Sequence, residues 1–254
     1  MEKDYQKIMS VNEEMLPYDD ILPSATGVFN PWIRQLPGIF RGLHLKENMK
    51  ILDIPCGEGG VSIPLAAKYG ARIFGYDIKP KFIERAKNIA KKREVSQRCT
   101  FGVKDIRKVI EAKNKYDLIL WIAPPHIWRD FGETLKAFET ICKKRAKVFI
   151  GDAYLNKNAY KKYYPEYQTM SEIEADIESS NFVLDKFYDY ENRLWEKDYS
   201  RERKRLLKIL EKYRDDKKAF NIIQRQINRL NQDEKSDSKM MGTAIWILQL
   251  GDQS

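Results

Sequence analysis

Ile51-Leu52-Asp53-Ile54-Pro55-Cys56-Gly57-Glu58-Gly59-Gly60 runs from a short apolar stretch into a turn of small residues and then into a helical pattern. A turn of this kind lets backbone N–H groups approach a ligand closely, and the helix that follows offers a partly positive N-terminus. The helix is expected over Val61–Tyr69, with Ile63, Ala66 and Ala67 on one face and Gly70 as its stop. Arg72–Asp77 reads as a second strand. Pro80 then opens a helix at its first turn, with Phe82, Ile83, Ala86, Ile89 and Ala90 at helical spacing.

The alternation continues further along the chain. Thr100–Val103, Tyr116–Ile122 and Lys147–Gly151 read as strands three to five, with a helix marked by Phe131, Leu135, Phe138 and Ile141 before the fifth. Strands alternating with helices predict an α/β fold with a mostly parallel sheet and helices on both of its faces. After residue 154 the pattern changes to a short helix near Ser171–Ser180, a strand over Phe182–Tyr188, and a charged helical stretch from Glu191 to Leu230. Arg214–Lys218 is expected to divide that stretch, Asn231–Lys239 to be a polar loop, and Ala244–Leu248 to be a last strand. The chain is read as a single domain, residues 1–254. It comprises a helical segment over 1–44, a cofactor-binding core over 45–154, a cap insertion with one strand over 155–239, and a final strand over 240–254.

Composition narrows the function classes. The 254 residues are 43 % hydrophobic and 12 % aromatic, enough for a real core, so the chain as a whole is not disordered. No apolar run reaches the roughly 18–20 residues of a membrane helix, and the charged N-terminus lacks a secretory apolar stretch. A cytoplasmic protein is expected. Cys56, Cys99 and Cys142 form no C-x-x-C pair, so neither a disulfide framework nor a metal cluster is expected. The net charge is +9, and residues 79–115 alone hold 13 Lys/Arg against 4 Asp/Glu. That stretch reads either as a phosphate or nucleic-acid patch or as the solvated outer face of helices.

Asp77, at the end of the second strand, is placed to take both hydroxyls of a ribose. Asp105 follows the next strand. Taken together, LDIPCGEGG, GYDIKP, VKDIRK and YDLILWIAPPHIW resemble the class I S-adenosylmethionine-dependent methyltransferases in motif order and spacing, over roughly residues 45–155. The resemblance implies a Rossmann-like methyltransferase fold and S-adenosylmethionine as cofactor, with S-adenosylhomocysteine as product. It also implies that Gly57 and Gly59 cradle the methionine part and that Asp53 orients the amino group. Asp77, with Ile78 next to it, would hold the ribose. Asp105 would meet the adenine amine with Ile106 beside the ring, and Ile122 and Ala123 would line the methyl-donor pocket. Pro55 departs from the family pattern, standing where a first glycine is usual.

Other readings compete. A dinucleotide site needs G-x-G-x-x-G, and here Glu58 inside the turn would repel a pyrophosphate. Pro124-Pro125-His126 resembles the motif of enzymes that methylate base amines, but Ala123 offers no acceptor and His126 replaces the aromatic. His126 itself is the candidate general base. Asp152 and Tyr154 after the fifth strand, and Trp195 and Tyr199 four apart on a helix, are candidate substrate contacts, each with ordinary capping or packing as the alternative. Cys56 reads as a packing residue and His44 as structural. Pro31, Trp32 and Phe40 belong to a segment that in this family often covers the cofactor. The expected acceptor is a small molecule methylated on O or N. RNA reached through 79–115 and a non-catalytic cofactor-binding protein are the alternatives.

Overall fold

The structure, a computed structural model, describes residues 36–124, 126–190 and 192–252. Pro31, Trp32 and most of the expected N-terminal segment lie outside the described residues. Within it, the first helix, α1, spans Leu36–Arg41 and buries Leu36, Ile39 and Phe40.

From there the chain alternates as its pattern predicts. Strand β1 (Lys50–Asp53) is followed by α2 (Ser62–Tyr69), β2 (Arg72–Asp77), α3 (Pro80–Lys92), β3 (Cys99–Val103), α4 (Ile106–Glu111), β4 (Tyr116–Ile122), α5 (Phe131–Glu139) and β5 (Cys142–Leu155). Gly70 ends α2 in the left-handed conformation (φ 69°), and Pro80 opens α3. Asp105 caps α4, accepting from Arg107 N–H at 2.8 Å, and Asp130 caps α5, accepting from Glu133 N–H at 2.8 Å. Next come α6 (Met170–Glu178) and β6 (Phe182–Asp189), then α7 (Asn192–Lys212), α8 (Lys217–Met240) and β7 (Met241–Leu250).

The sheet has seven strands in the order β3-β2-β1-β4-β5-β7-β6. Strands β3, β2, β1, β4 and β5 pair in parallel, and β7 runs antiparallel between β5 and β6. Strands β1 and β4 sit centrally with both faces covered. Their near-continuous apolar sequences follow from that position. Two cores flank the sheet. One gathers α1, α2 and α3 around Ile51, Ile73 and Phe149. The other gathers α4, α5 and α6 around Leu52, Trp121 and Trp246.

Two expectations are corrected here. Asn231–Lys239 is not a loop, because α8 continues to Met240 and passes directly into β7. Polarity alone does not end a helix, and residues 217–240 contain no Gly or Pro to stop it. The expected division at Arg214–Lys218 falls slightly earlier, in the turn between Lys212 and Lys217. The helix pair lies between β6 and β7, leaving and returning at the end of the sheet where Asp189 pairs with Ala244 and Leu155 with Met241. Leu206, Ala219, Ile222, Ile223, Ile227 and Leu230 of this pair are buried in the same core as Ile39, Phe40, Ile245 and Ile247. The insertion therefore spends its apolar stripe on one face of the sheet.

The basic stretch 79–115 falls on α3, the edge strand β3 and α4, and Lys87, Lys91 and Lys92 are exposed. On β7, Trp246 is buried and meets the rings of Phe131, Tyr154 and Phe187 at centroid distances of 5.5, 6.3 and 5.9 Å. Truncating so large a buried ring removes its transfer energy and leaves a cavity. Trp246→Ala should lower unfolding stability by about 3–5 kcal/mol in denaturant titration. A loss below about 1 kcal/mol would show that β7 is not integral to the fold.

Candidate functional site

The small-residue turn sits at the carboxyl end of β1. Gly57 and Gly59 both have positive φ (51° and 74°), and a Cβ on Gly59 would lie 2.7 Å from the Ile63 side chain. Gly57 N–H donates to Asp77 Oδ2 at 3.0 Å, and Lys79 N–H donates to Asp77 Oδ1 at 2.9 Å. The buried Asp77 carboxylate thus ties the turn to the end of β2. Cys56 N–H donates to Tyr76 C=O at 3.0 Å, a second tie between the same two segments. Glu58 is paired with Arg85 of α3 at 2.9 Å, which draws the one acidic side chain of the turn onto that helix. The Ile54–Pro55 bond is cis.

Asp53 projects from the end of β1 on the same sheet face as Asp77. It is buried, and among the described residues its Oδ2 has no hydrogen-bond partner; neither has the Oγ of buried Ser62 beside it. Burial pushes the Asp53 carboxyl up to about 7 and the Asp77 charge adds to it; the nearby Ser62 hydroxyl opposes this only in part, since it does not meet the carboxyl in hydrogen-bond geometry. Burial also raises Asp77, with the Lys79 and Gly57 N–H groups opposing it. The Cys56 thiol is buried and pushed well above its ordinary range, first by burial and then by the two carboxylates. It stays protonated and packs, so it is no nucleophile.

The remaining predicted residues divide. Ile78 lies half-buried next to Asp77, and Ile122 ends β4 with Ala123 directly after it. Ala123 has φ 46°, a left-handed conformation for a residue with a Cβ, and its N–H donates to Gly151 C=O at 2.8 Å. Asp105 is committed locally: both oxygens meet the Arg107 guanidinium, at 2.5–3.1 Å, which lowers its pKa. Ile106, expected beside the cofactor, is 1 % exposed and belongs to the core on the α5 side. It opens α4 directly after the cap, and that helix turns its side chain inward.

At the ends of β4 and β5 the structure brings His126 and Asp152 together, His126 Nε2 lying 4.0 Å from Asp152 Oδ2. Burial raises Asp152 to about 6, opposed by His126 and by the Ala153 N–H. Tyr154 is turned away: its hydroxyl donates to Asp189 Oδ1 at 3.1 Å, and its ring covers Gly242. Tyr199 is buried within the core that the inserted helices share with α1, so it presents no wall to a ligand. Trp195 lies on α7, and its side chain is outside the described residues.

Tyr167, whose ring packs edge-on against His126 at 4.4 Å, was not foreseen. Nor were Gln168, which accepts from Phe131 N–H at 2.6 Å, and Ser62. Tyr167 and Gln168 sit in an irregular segment whose position no local pattern encodes, and Ser62 reads as one more helix-start residue.

A family model described as a methyltransferase domain matches residues 45–214, about two thirds of the chain. The chain belongs to this methyltransferase-domain family. A sterol 4-C-methyltransferase of Caenorhabditis elegans is 27 % identical to this chain over 151 residues, covering 54 % of this chain and 45 % of that protein. A ubiquinone biosynthesis O-methyltransferase of Pelagibacter ubique is 34 % identical over 111 residues, 44 % of each. The chain thus spans less than half the length of these curated relatives. A crystal structure of a SAM-dependent methyltransferase from Geobacter sulfurreducens, in complex with S-adenosyl-L-homocysteine, superposes with a TM-score of 0.73 at 17 % identity. The superposition covers 90 % of this chain and 95 % of that one. At that identity the likeness establishes the fold.

Asp53 sets a pH test for this methyltransferase domain. Its carboxyl holds its proton more tightly in the folded chain (about 7) than at its ordinary value of 3.8. The folded state therefore loses stability as pH rises through that window, at about 1.4 kcal/mol for each pH unit between the two values. Asp53→Asn keeps the shape and removes the ionisation. It should match wild type near pH 4 and exceed its stability by a few kcal/mol at pH 8. Equal melting curves at both pH values would place the Asp53 carboxyl in contact with water.

Proposed function

We propose that the protein is an S-adenosylmethionine-dependent methyltransferase acting on a small-molecule acceptor. The observation that carries this reading is the unpaired, buried Asp53 Oδ2 beside a glycine turn that is held open by Asp77. A buried carboxyl without a partner is costly, and a cationic ligand group relieves the cost. The amino group of the cofactor's methionine part is such a group. A Cβ on Gly57 would meet nothing within 4 Å, which leaves space beside the turn there, whereas Gly59 packs tightly against Ile63 and Phe101. These residues fit the cofactor, which when bound supplies an electrophilic methyl group on a sulfonium.

Within this reading Asp53 and Ser62 hold the amino end, and Gly57 and Gly59 let the chain approach the methionine part. Asp77 keeps the turn in place through Gly57 and still has lone pairs for ribose hydroxyls. Ile78 lies against the nucleoside. Ile122 and Ala123 end β4 beside the turn, since Asp53 pairs with Leu120 one strand away. The strained Ala123 directs the chain back over the rim, where alignment of acceptor and methyl group is the protein's main contribution.

A small acceptor is favoured over RNA by position. The basic stretch lies at the β3 edge, three strands from β4, and the relatives named above are a sterol and a ubiquinone-biosynthesis enzyme. In this reading residues 45–154 form the cofactor-binding core, and α7 and α8 are a late insertion packed on one face of the sheet.

S-adenosylhomocysteine should raise the melting temperature and NAD should not, because a ligand that binds only the native state stabilises it by mass action. Stabilisation by NAD alone would overturn the assignment. Asp77→Ala should weaken S-adenosylhomocysteine binding by about 1.5–3 kcal/mol, the range for hydrogen bonds to a charged group. Calorimetry on the folded variant checks this, and an unchanged Kd would remove Asp77 from the site.

A further inference from the structure

Strand β6 is an edge of the sheet, and among the described residues no strand pairs with its outer side. Of the six large apolar side chains that stand exposed among the described residues, three lie on this strand: Val183 (64 % exposed), Leu184 (43 %) and Phe187 (41 %). An apolar edge with unpaired N–H and C=O groups is a template for another strand, which is why edges are usually short, basic or bent. The opposite edge follows that practice, since β3 runs into Lys104 and lies within the basic stretch. Strand β6 does not.

Pairing with β7 fixes which way each β6 side chain points. Phe182, Leu184 and Phe187 stand opposite Leu250, Leu248 and Trp246, on the sheet face covered by α4–α6. Val183, Lys186 and Tyr188 stand opposite Gln249, Ile247 and Ile245, on the face covered by α1–α3. The register shifts between Leu184 and Lys186, so Asp185 is the extra residue of a bulge. Its carboxylate meets Lys147 Nζ at 2.5 Å, which places it on the same face as Lys186. On a regular strand Leu184 and Phe187, three apart, would point to opposite faces. The bulge puts them on one face and Asp185 and Lys186 together on the other.

A bulge normally throws an added strand out of step, but two identical bulges can meet across a two-fold axis. With the axis between Asp185 and Lys186, an antiparallel copy of β6 sets Leu184 against Phe187, Val183 against Tyr188 and Asp185 against Lys186. Each of these pairs then shares a face, and the charged pair joins opposite signs twice, as a self-complementary interface requires. Both charges have capacity left. Lys186 Nζ donates to Gly42 C=O at 3.1 Å, one of three donors, and Asp185 gives Lys147 one oxygen. We propose that the protein pairs with a second copy of itself through β6, joining two seven-stranded sheets into one continuous sheet. The carboxyl-end rims of the two copies then face away from each other, so neither covers the other's site.

Sedimentation velocity of the full chain over a concentration series tests this. Wild type should reach twice the monomer mass as concentration rises. Asp185→Lys sets Lys against Lys, and Lys186→Asp sets Asp against Asp. Each alone should weaken the dimer by about tenfold, because like charges directly opposite repel. Mixed in equal amounts, the two variants restore both opposite-sign pairs and should again sediment as a dimer. Leu184→Lys, at an exposed position that the fold tolerates, should weaken the dimer to a similar degree, and melting curves check that each variant is folded. A wild-type chain that stays monomeric at every concentration overturns the proposal. So does a dimer that survives Leu184→Lys and both charge reversals, or a mixture of the two folded charge variants that does not pair.

Discussion

The Asp77 carboxylate accepts one hydrogen bond from Gly57 N–H and another from Lys79 N–H, and the rim of the sheet is arranged around that link. It joins the turn after β1 to the start of α3, so the two segments cannot move apart. Burying a carboxylate is costly, and two backbone donors offset the cost while fixing the turn's shape. With the turn fixed, Asp53 is held on the same face with an oxygen that has no hydrogen-bond partner among the described residues. The protein thus keeps a destabilised group at the rim of its sheet, and unsatisfied polarity of this kind commonly marks function.

Two sheet faces divide the labour. Asp53, Ser62 and Asp77 lie on the face covered by α2 and α3. His126 and Asp152 lie against the opposite core, with Trp121, Ile150 and Trp246 beneath them. Both sets open at the carboxyl ends of the strands, where open α/β sheets bind ligands. The inserted helices return to that same end, yet they bury their apolar stripe on the first face.

Much of this was legible in residue order. Strands β1 to β5 announce themselves as apolar runs broken by glycine, proline and helical spacing, and Asp53 and Asp77 fall at strand ends where side chains reach a rim. What was not legible depends on contacts distant in sequence. Asp105 looks like a ligand residue until Arg107 is seen to occupy it, and Ile106 looks accessible until α4 turns it inward. Tyr199 is four residues from Trp195 on α7, but its burial is settled by the core that the inserted helices share with α1. The run Asn231–Lys239 shows the limit of polarity as a guide, since the helix it continues has no local stop. The meeting of His126, Asp152 and Tyr167 is set by tertiary folding of three separate segments.

The central claim is that the Asp53 carboxyl, held near 7 by burial, ionises when the cofactor's amino group arrives. Calorimetry of S-adenosylhomocysteine binding at pH 6.5, in two buffers of different ionisation enthalpy, counts the protons exchanged. The account predicts release of a substantial fraction of a proton by wild type and little or none by Asp53→Asn. Tight binding with no proton released by wild type would contradict it.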